Sequence, residues 1–174
     1  MENRKVNLLY QKLNKQLSNA RTELIFKNTF ELLISVMLSA QANDKIVNAT
    51  TPELFSSYPT PGDIIKCGEN KLKNIIQPIG LAPTKARNII KTCSILVEKH
   101  DSNVPGTRAA LEKLPGVGRK TANVVLNEGF GHPTIAVDTH VFRVANRTGL
   151  APGKSVALTE KRLLEVTPTK WKLN

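Results

Sequence analysis

The chain reverses direction between two helices at Leu114-Pro115-Gly116-Val117-Gly118-Arg119-Lys120-Thr121-Ala122, and no other segment limits its possible folds as tightly. A leucine-containing helical stretch runs into Pro-Gly-Val-Gly, and a new helical pattern starts near Arg119. So tight a reversal demands positive φ, which glycine tolerates and other residues resist. With no side chain on Gly116 or Gly118, backbone N–H groups at the start of the second helix can approach a phosphate, aided by the positive end of the helix dipole. Lys120 lies one turn into that positive end. Positive potential together with partial burial would favour its neutral amine, the form that a Schiff-base nucleophile needs. Plainer readings stand beside this one: Pro-Gly-x-Gly can be only a turn, and first-turn lysines are commonly solvated. Asp138 follows eighteen residues after the lysine, and Val137-Asp138-Thr139-His140 opens another helical pattern. Asp is a favoured N-cap there, and capping is compatible with catalysis because it holds the carboxylate rigidly.

Elsewhere the apolar residues keep to a helical period. Residues 6–17 carry Leu8, Leu9, Leu13 and Leu17 among lysines and glutamines, which predicts an amphipathic opening helix. Asn28 and Glu31 form the pattern of a capping box that launches a helix over 30–41, apolar on all sides and so expected in the middle of a core. Thr51-Pro52 and Thr60-Pro61 each pair a capping residue with a first-position proline, while Gly68 and Gly80 are expected stops. A second amphipathic helix is predicted over 85–99, with Ala86, Ile89, Ile90, Cys93 and Leu96 on its stripe. The hairpin helices are expected at 107–114 and 119–128, with Gly129 ending the second; Val141, Val144 and Ala145 should give the next helix its buried face. A last helix is expected over 155–166, stopping before Pro168. No strand alternation or βαβ spacing is visible, so the fold class is all-α.

Length, charge and cysteine usage narrow the function classes. At 174 residues the chain can bury one sizeable core or two small ones. Its net charge of +11 suits a polyanion such as DNA, although basic balance alone is shared by many proteins. Low aromatic content argues against stacking platforms for single strands. The longest apolar run, 30–38, is interrupted by Glu31 and Ser35 and is too short for a bilayer, and residues 1–21 lack a signal-peptide pattern. Cys67 and Cys93 are too few for a disulfide framework or a four-thiolate metal site, and are expected to be small, partly buried residues of a reducing compartment.

From about Thr22 onward the chain resembles endonuclease III, of the helix-hairpin-helix DNA glycosylase superfamily. The resemblance is carried by Phe30-Glu31-Leu32-Leu33-Ile34, Leu38-Ser39-Ala40-Gln41-Ala42, the run from Leu114 to Leu126, and Pro133-Thr134-Ile135-Ala136-Val137-Asp138-Thr139-His140. It implies a six-helix domain over 22–131 containing the hairpin motif, a second helical domain built from 1–21 and 132–174, and an active site in the cleft between them. Lys120 would be the nucleophile at the sugar C1′, and Asp138 the carboxylate assisting base departure and proton transfer. Gln41 and Leu81 would fill the gap left by a flipped-out nucleotide. Ser39, Asp44 and His140 would lie at the base pocket, and Gly116, Val117, Gly118, Arg119 and Thr121 would grip the DNA backbone. The implied partner is double-stranded DNA with damaged bases, oxidised pyrimidines above all, or abasic sites, met by a monomer that is expected to be cytoplasmic and nucleoid-associated, without membrane attachment.

The departures from that pattern raise further expectations. After the region matching Trp171-Lys172-Leu173-Asn174, full-length relatives are expected to carry another helix and four cysteines holding a four-iron four-sulfur cluster. Cys67 and Cys93 do not match those positions, so no cofactor is expected in this chain. The second domain would then be incomplete, with apolar surface exposed. Pro52 falls where the family continues a helix, predicting a break, and His132 and Gly129 replace the usual tryptophan and alanine. There is also an internal echo: Ile79-Gly80-Leu81 leading to Lys85 parallels Pro115-Gly116-Val117 leading to Lys120. Lys85 is the weaker nucleophile candidate because Pro83 removes an N–H donor and no carboxylate follows at a comparable distance, so its substitution should still leave a trappable covalent product. Two other classes remain open: a non-catalytic helix-hairpin-helix DNA-binding module, and a degenerate glycosylase without activity.

Overall fold

The computed structural model describes residues 3–17 and 20–173. Met1, Glu2, Ser18, Asn19 and Asn174, which fall in the expected second-domain segments, lie outside the described residues. Among the latter the regular structure is entirely helical. The elements are α1 (Asn3–Gln16), α2 (Thr29–Ser39), α3 (Asp44–Ser57), α4 (Pro61–Cys67), α5 (Glu69–Ile75), α6 (Ala82–Lys99), α7 (Arg108–Leu111), α8 (Arg119–Phe130), α9 (Thr139–Arg147) and α10 (Val156–Val166), with 3-10 turns at Gln77–Ile79 and Thr169–Trp171. The chain divides into two compact units, one of residues 23–125 and one of residues 1–22 with 126–174; the division falls within α8.

Unit 23–125 is organised around α2. Every residue from Phe30 to Leu38 is buried, as an all-round apolar helix requires. Asn28 caps its start by accepting from the Glu31 N–H, while the Glu31 carboxylate accepts from the Lys27 N–H at 2.7 Å. The capping box therefore closes one residue further back than its usual form. Thr60 caps α4 from just before Pro61, and Gly68 closes that helix, as the sequence predicts. Most of the predicted stripe of α6 is also present: Ala86, Ile89, Cys93 and Leu96 are fully buried, while Ile90 is half-buried.

Three expectations fail in this region of the chain. Pro52 does not interrupt α3, which runs unbroken from Asp44 to Ser57, and Thr51 is a buried mid-helix residue that caps nothing. Proline costs about 3 kcal/mol inside a helix, but Val47, Thr51, Leu54 and Phe55 form one buried face spaced i, i+4, i+7 and i+8. Their packing outweighs the lost hydrogen bond. Gly129 does not end α8, which continues to Phe130. Gly131 is the terminator: it takes φ 66° and its N–H donates to the Asn127 carbonyl at 3.0 Å, a left-handed cap that suits glycine. The first hairpin helix is also shorter than expected, a single turn at Arg108–Leu111 followed by turns through Leu114.

The other unit packs Val137, Ala145, Ala151 and Leu163 into a small core, with Ile135, Val141, Phe142, Leu150 and Val166 against it. Val144, expected on the buried face of α9, is 58% exposed; Val141 and Ala145 lie on that face as expected, and Phe142 joins them. A similar departure affects α1. Val6 is buried, Leu9 and Tyr10 are half-buried, and Leu8, Leu13 and Leu17 are exposed. The ring of Tyr10 stacks on Trp171 at 6.1 Å, and its hydroxyl is 2.8 Å from the Thr167 hydroxyl, so an aromatic anchor rather than the leucine stripe orients this helix.

Candidate active site

The hairpin rests on α6. Leu111, Leu114 and Val117 are buried, and buried Thr92 donates its hydroxyl proton to the Pro115 carbonyl at 3.0 Å. Gly116 sits at φ 79°, and a Cβ there would lie 2.9 Å from Asn88 Nδ2 and 3.1 Å from its Cβ. Both backbone and space therefore demand glycine. Gly118 differs from expectation: its φ lies outside the left-handed range, and a Cβ built on it would meet nothing within 4 Å. Its carbonyl accepts from the Ala122 N–H at 2.9 Å, so it opens α8 as the first half-turn residue. Among the described residues nothing requires glycine there.

Arg119 and Lys120 follow at the exposed N-terminal turn of α8, with Thr121 half-buried. The expected partial burial of Lys120 is not found: α8 turns Ala122 and Val125 inward, which carries Lys120 to the outside. Val117 places its side chain in the core, leaving only its backbone to meet a ligand. In this unit the lysine that is buried is Lys85, 7% exposed, and burial pushes its pKa below the usual lysine range.

Gln41 and Leu81 share an unusual backbone state. Each is exposed and each has positive φ, 55° and 51° respectively. For a residue bearing a Cβ the left-handed region costs about 1–2 kcal/mol, and such strain concentrates where side chains act on ligands. Nearby in sequence, Ser39 donates its hydroxyl to the Val36 carbonyl at 3.1 Å, and Asp44 stands in the first turn of α3 behind the N-cap Asn43.

Asp138 belongs to the other unit. One carboxylate oxygen accepts from the N–H groups of His140 at 2.9 Å and Val141 at 3.0 Å, so the predicted N-cap of α9 is present. Buried Val137 on one side and the cap on the other fix its backbone. His140 is exposed, with Nδ1 at 3.2 Å from the Arg143 guanidinium. A residue missed in the sequence holds this approach: Asn127 Nδ2 donates to the carbonyls of His132 (3.1 Å), Thr134 (3.0 Å) and Lys172 (2.6 Å). A mid-helix Asn gives no signal of this, because its three acceptors come from two separate loops.

Comparison with known proteins decides the family. Residues 34–169 match the model of the HhH-GPD superfamily base excision DNA repair protein. The chain belongs to that superfamily. Endonuclease III of Rickettsia conorii is 54% identical over 166 residues, covering 95% of this chain and 79% of that protein. Endonuclease III of Escherichia coli is 58% identical over 153 residues, covering 88% and 72%. A solved structure of a trapped endonuclease III–DNA covalent intermediate superposes with a TM-score of 0.93 at 45% identity, covering 99% of this chain and 82% of that one. This HhH-GPD protein is accordingly an all-α DNA-binding enzyme of base excision repair, a DNA glycosylase/AP lyase.

The iron–sulfur cluster implied for such proteins needs four thiolates. This chain has two cysteines. Cys93 is buried in α6 with its thiol pushed up to about 12 by burial, and Cys67 lies at the end of α4. Two thiols, one held firmly protonated, do not fit that group. Among the described residues no helix is long and apolar enough to cross a membrane.

Proposed function

We propose that Lys120 and Asp138 carry out excision of damaged bases, oxidised pyrimidines foremost, and cleavage of the resulting abasic site in duplex DNA. A stacked base hides C1′ from any protein amine, so the nucleotide must first leave the helix. Gln41 and Leu81, exposed and held in left-handed conformations, fill the vacated space, while Ser39, Asp44 and His140 face the extruded base. The Lys120 amine attacks C1′ and gives up a proton, and the glycosidic bond breaks with its electron pair leaving on the protonated base. Asp138 stabilises positive charge at the sugar and relays protons. The C1′–O4′ bond then opens with its electron pair on O4′, which takes a proton, and leaves an iminium between C1′ and Lys120; this acidifies the C2′ proton, whose removal forms the C2′–C3′ double bond and expels the 3′ phosphate. Water then releases the sugar fragment from Lys120. No redox step occurs, and the enzyme acts as a monomer in the cytoplasm.

The observation that carries this reading is Gly118, a glycine required neither by its backbone nor by its neighbours, placed one residue before Arg119 and two before Lys120. Its bare backbone leaves room for a DNA phosphate at the α8 N-terminus. Borohydride trapping on an abasic duplex is the test. Lys120→Ala should give no covalent product, whereas Asp138→Asn should slow turnover roughly 10²–10³-fold with little change in DNA affinity. Undiminished trapping by Lys120→Ala would reject the assignment.

A further inference from the structure

Lys85 is a buried cation that the proposed chemistry does not use. Its ammonium donates to the Leu38 carbonyl at 2.7 Å. Leu38 lies in the last turn of α2, whose terminal carbonyls have no partners within the helix. Ser39 Oγ serves Val36 and the Ala42 N–H serves Ser39, so Lys85 supplies a donor to Leu38 from a separate element. A cation there also meets the negative end of the helix dipole. Directly beyond lies Ser39-Ala40-Gln41-Ala42. Ala40 at φ −56°, ψ 116° and Gln41 at φ 55° give it the form of a type II turn, whose third position ordinarily takes glycine.

Through its backbone the same residue reaches the second strained position. The Lys85 N–H donates to the Leu81 carbonyl at 3.0 Å, and Leu81 precedes α6 at φ 51°, ψ 26°. One residue is thus bonded to both segments that present left-handed, exposed side chains. Burial lowers the Lys85 pKa, so the ammonium is held there against a desolvation penalty.

We propose that Lys85 is a positioning residue that locks Gln41 and Leu81 in register with each other, so that both enter the space left by the extruded nucleotide. This rests on the reading of Gln41 and Leu81 given above. Without the ammonium the end of α2 loosens from α6, and the two side chains no longer arrive together.

The test uses a duplex with 2-aminopurine beside a tetrahydrofuran abasic analogue, whose fluorescence rises as the helix is opened, together with single-turnover cleavage of a natural abasic duplex. Lys85→Met should reduce the fluorescence rise and slow cleavage roughly ten- to hundredfold, the penalty typical of small misplacements. Lys85→Arg, which can still donate to the Leu38 carbonyl, should restore most of both. In a Leu81→Ala background Lys85→Met should add little, because the two changes remove one function. A folded Lys85→Met protein with the native fluorescence rise, or full additivity with Leu81→Ala, overturns the proposal. Should Lys85→Met fail to melt cooperatively, Lys85→Gln takes its place under the same criteria. If Gln41→Ala and Leu81→Ala themselves leave the rise unchanged, the gap-filling reading fails, and the proposal falls with it.

Discussion

Gly116 and Gly118 look equivalent in a sequence, yet physical chemistry separates them. Gly116 combines φ 79° with an Asn88 side chain 2.9 Å from any added Cβ. Gly116→Ala should therefore destabilise the fold by about 1–3 kcal/mol, read as a lower thermal midpoint. Gly118→Ala meets open space at an ordinary φ. Its stability should stay within about 0.5 kcal/mol of the native value, while DNA affinity falls because the methyl group occupies the phosphate's approach. Equal affinity for Gly118→Ala and the native chain would refute that role. Cys93 supplies a pH prediction at the same scale. Burial raises its thiol from 9.0 to about 12, so the folded chain keeps a proton that the unfolded chain releases. That contribution to stability is intact below pH 9 and is lost as pH climbs toward 12. Accordingly Cys93 should resist iodoacetamide at pH 8 until the chain is denatured; ready alkylation of the native protein would contradict its burial.

At the level of elements, α3 shows packing overriding propensity. Pro52 is exposed and lacks the N–H that would meet the Asn48 carbonyl, yet the buried faces of Thr51, Leu54 and Phe55 keep the helix continuous. Pro52→Ala restores that bond without touching the core. It should stabilise the protein by about 1–3 kcal/mol, and an unchanged or lowered melting temperature would show that the helix had already relaxed around the proline. The paired entries to α6 and α8 make a second comparison. Gly80 at φ 81° and Gly116 at φ 79° share a left-handed φ, but the turns then part: Leu81 stays left-handed at φ 51°, whereas Val117 does not. The lysines that follow diverge: Lys85 faces inward to Leu38, and Lys120 faces outward. Similar local sequence thus produces an anchor in one helix and a candidate nucleophile in the other, according to which face each helix buries.

For the whole molecule, a net charge of +11 on 174 residues predicts binding dominated by phosphate contacts. Affinity for undamaged duplex should drop at least about tenfold between about 50 and 200 mM salt; a salt-independent affinity would leave the basic charge without a function. The helical class, the caps at Asn28, Thr60 and Asp138, the buried α2 and the hairpin were all legible beforehand. Each depends on interactions within a few residues, or on a period that sequence displays directly. Tertiary structure alone decided the continuity of α3 through Pro52, the outward faces of Leu8 and Val144, the exposure of Lys120, and the bonds of Lys85 and Asn127 to distant carbonyls. Those outcomes turn on which surfaces meet across long stretches of chain, where burial of one face outweighs the preference of any single residue.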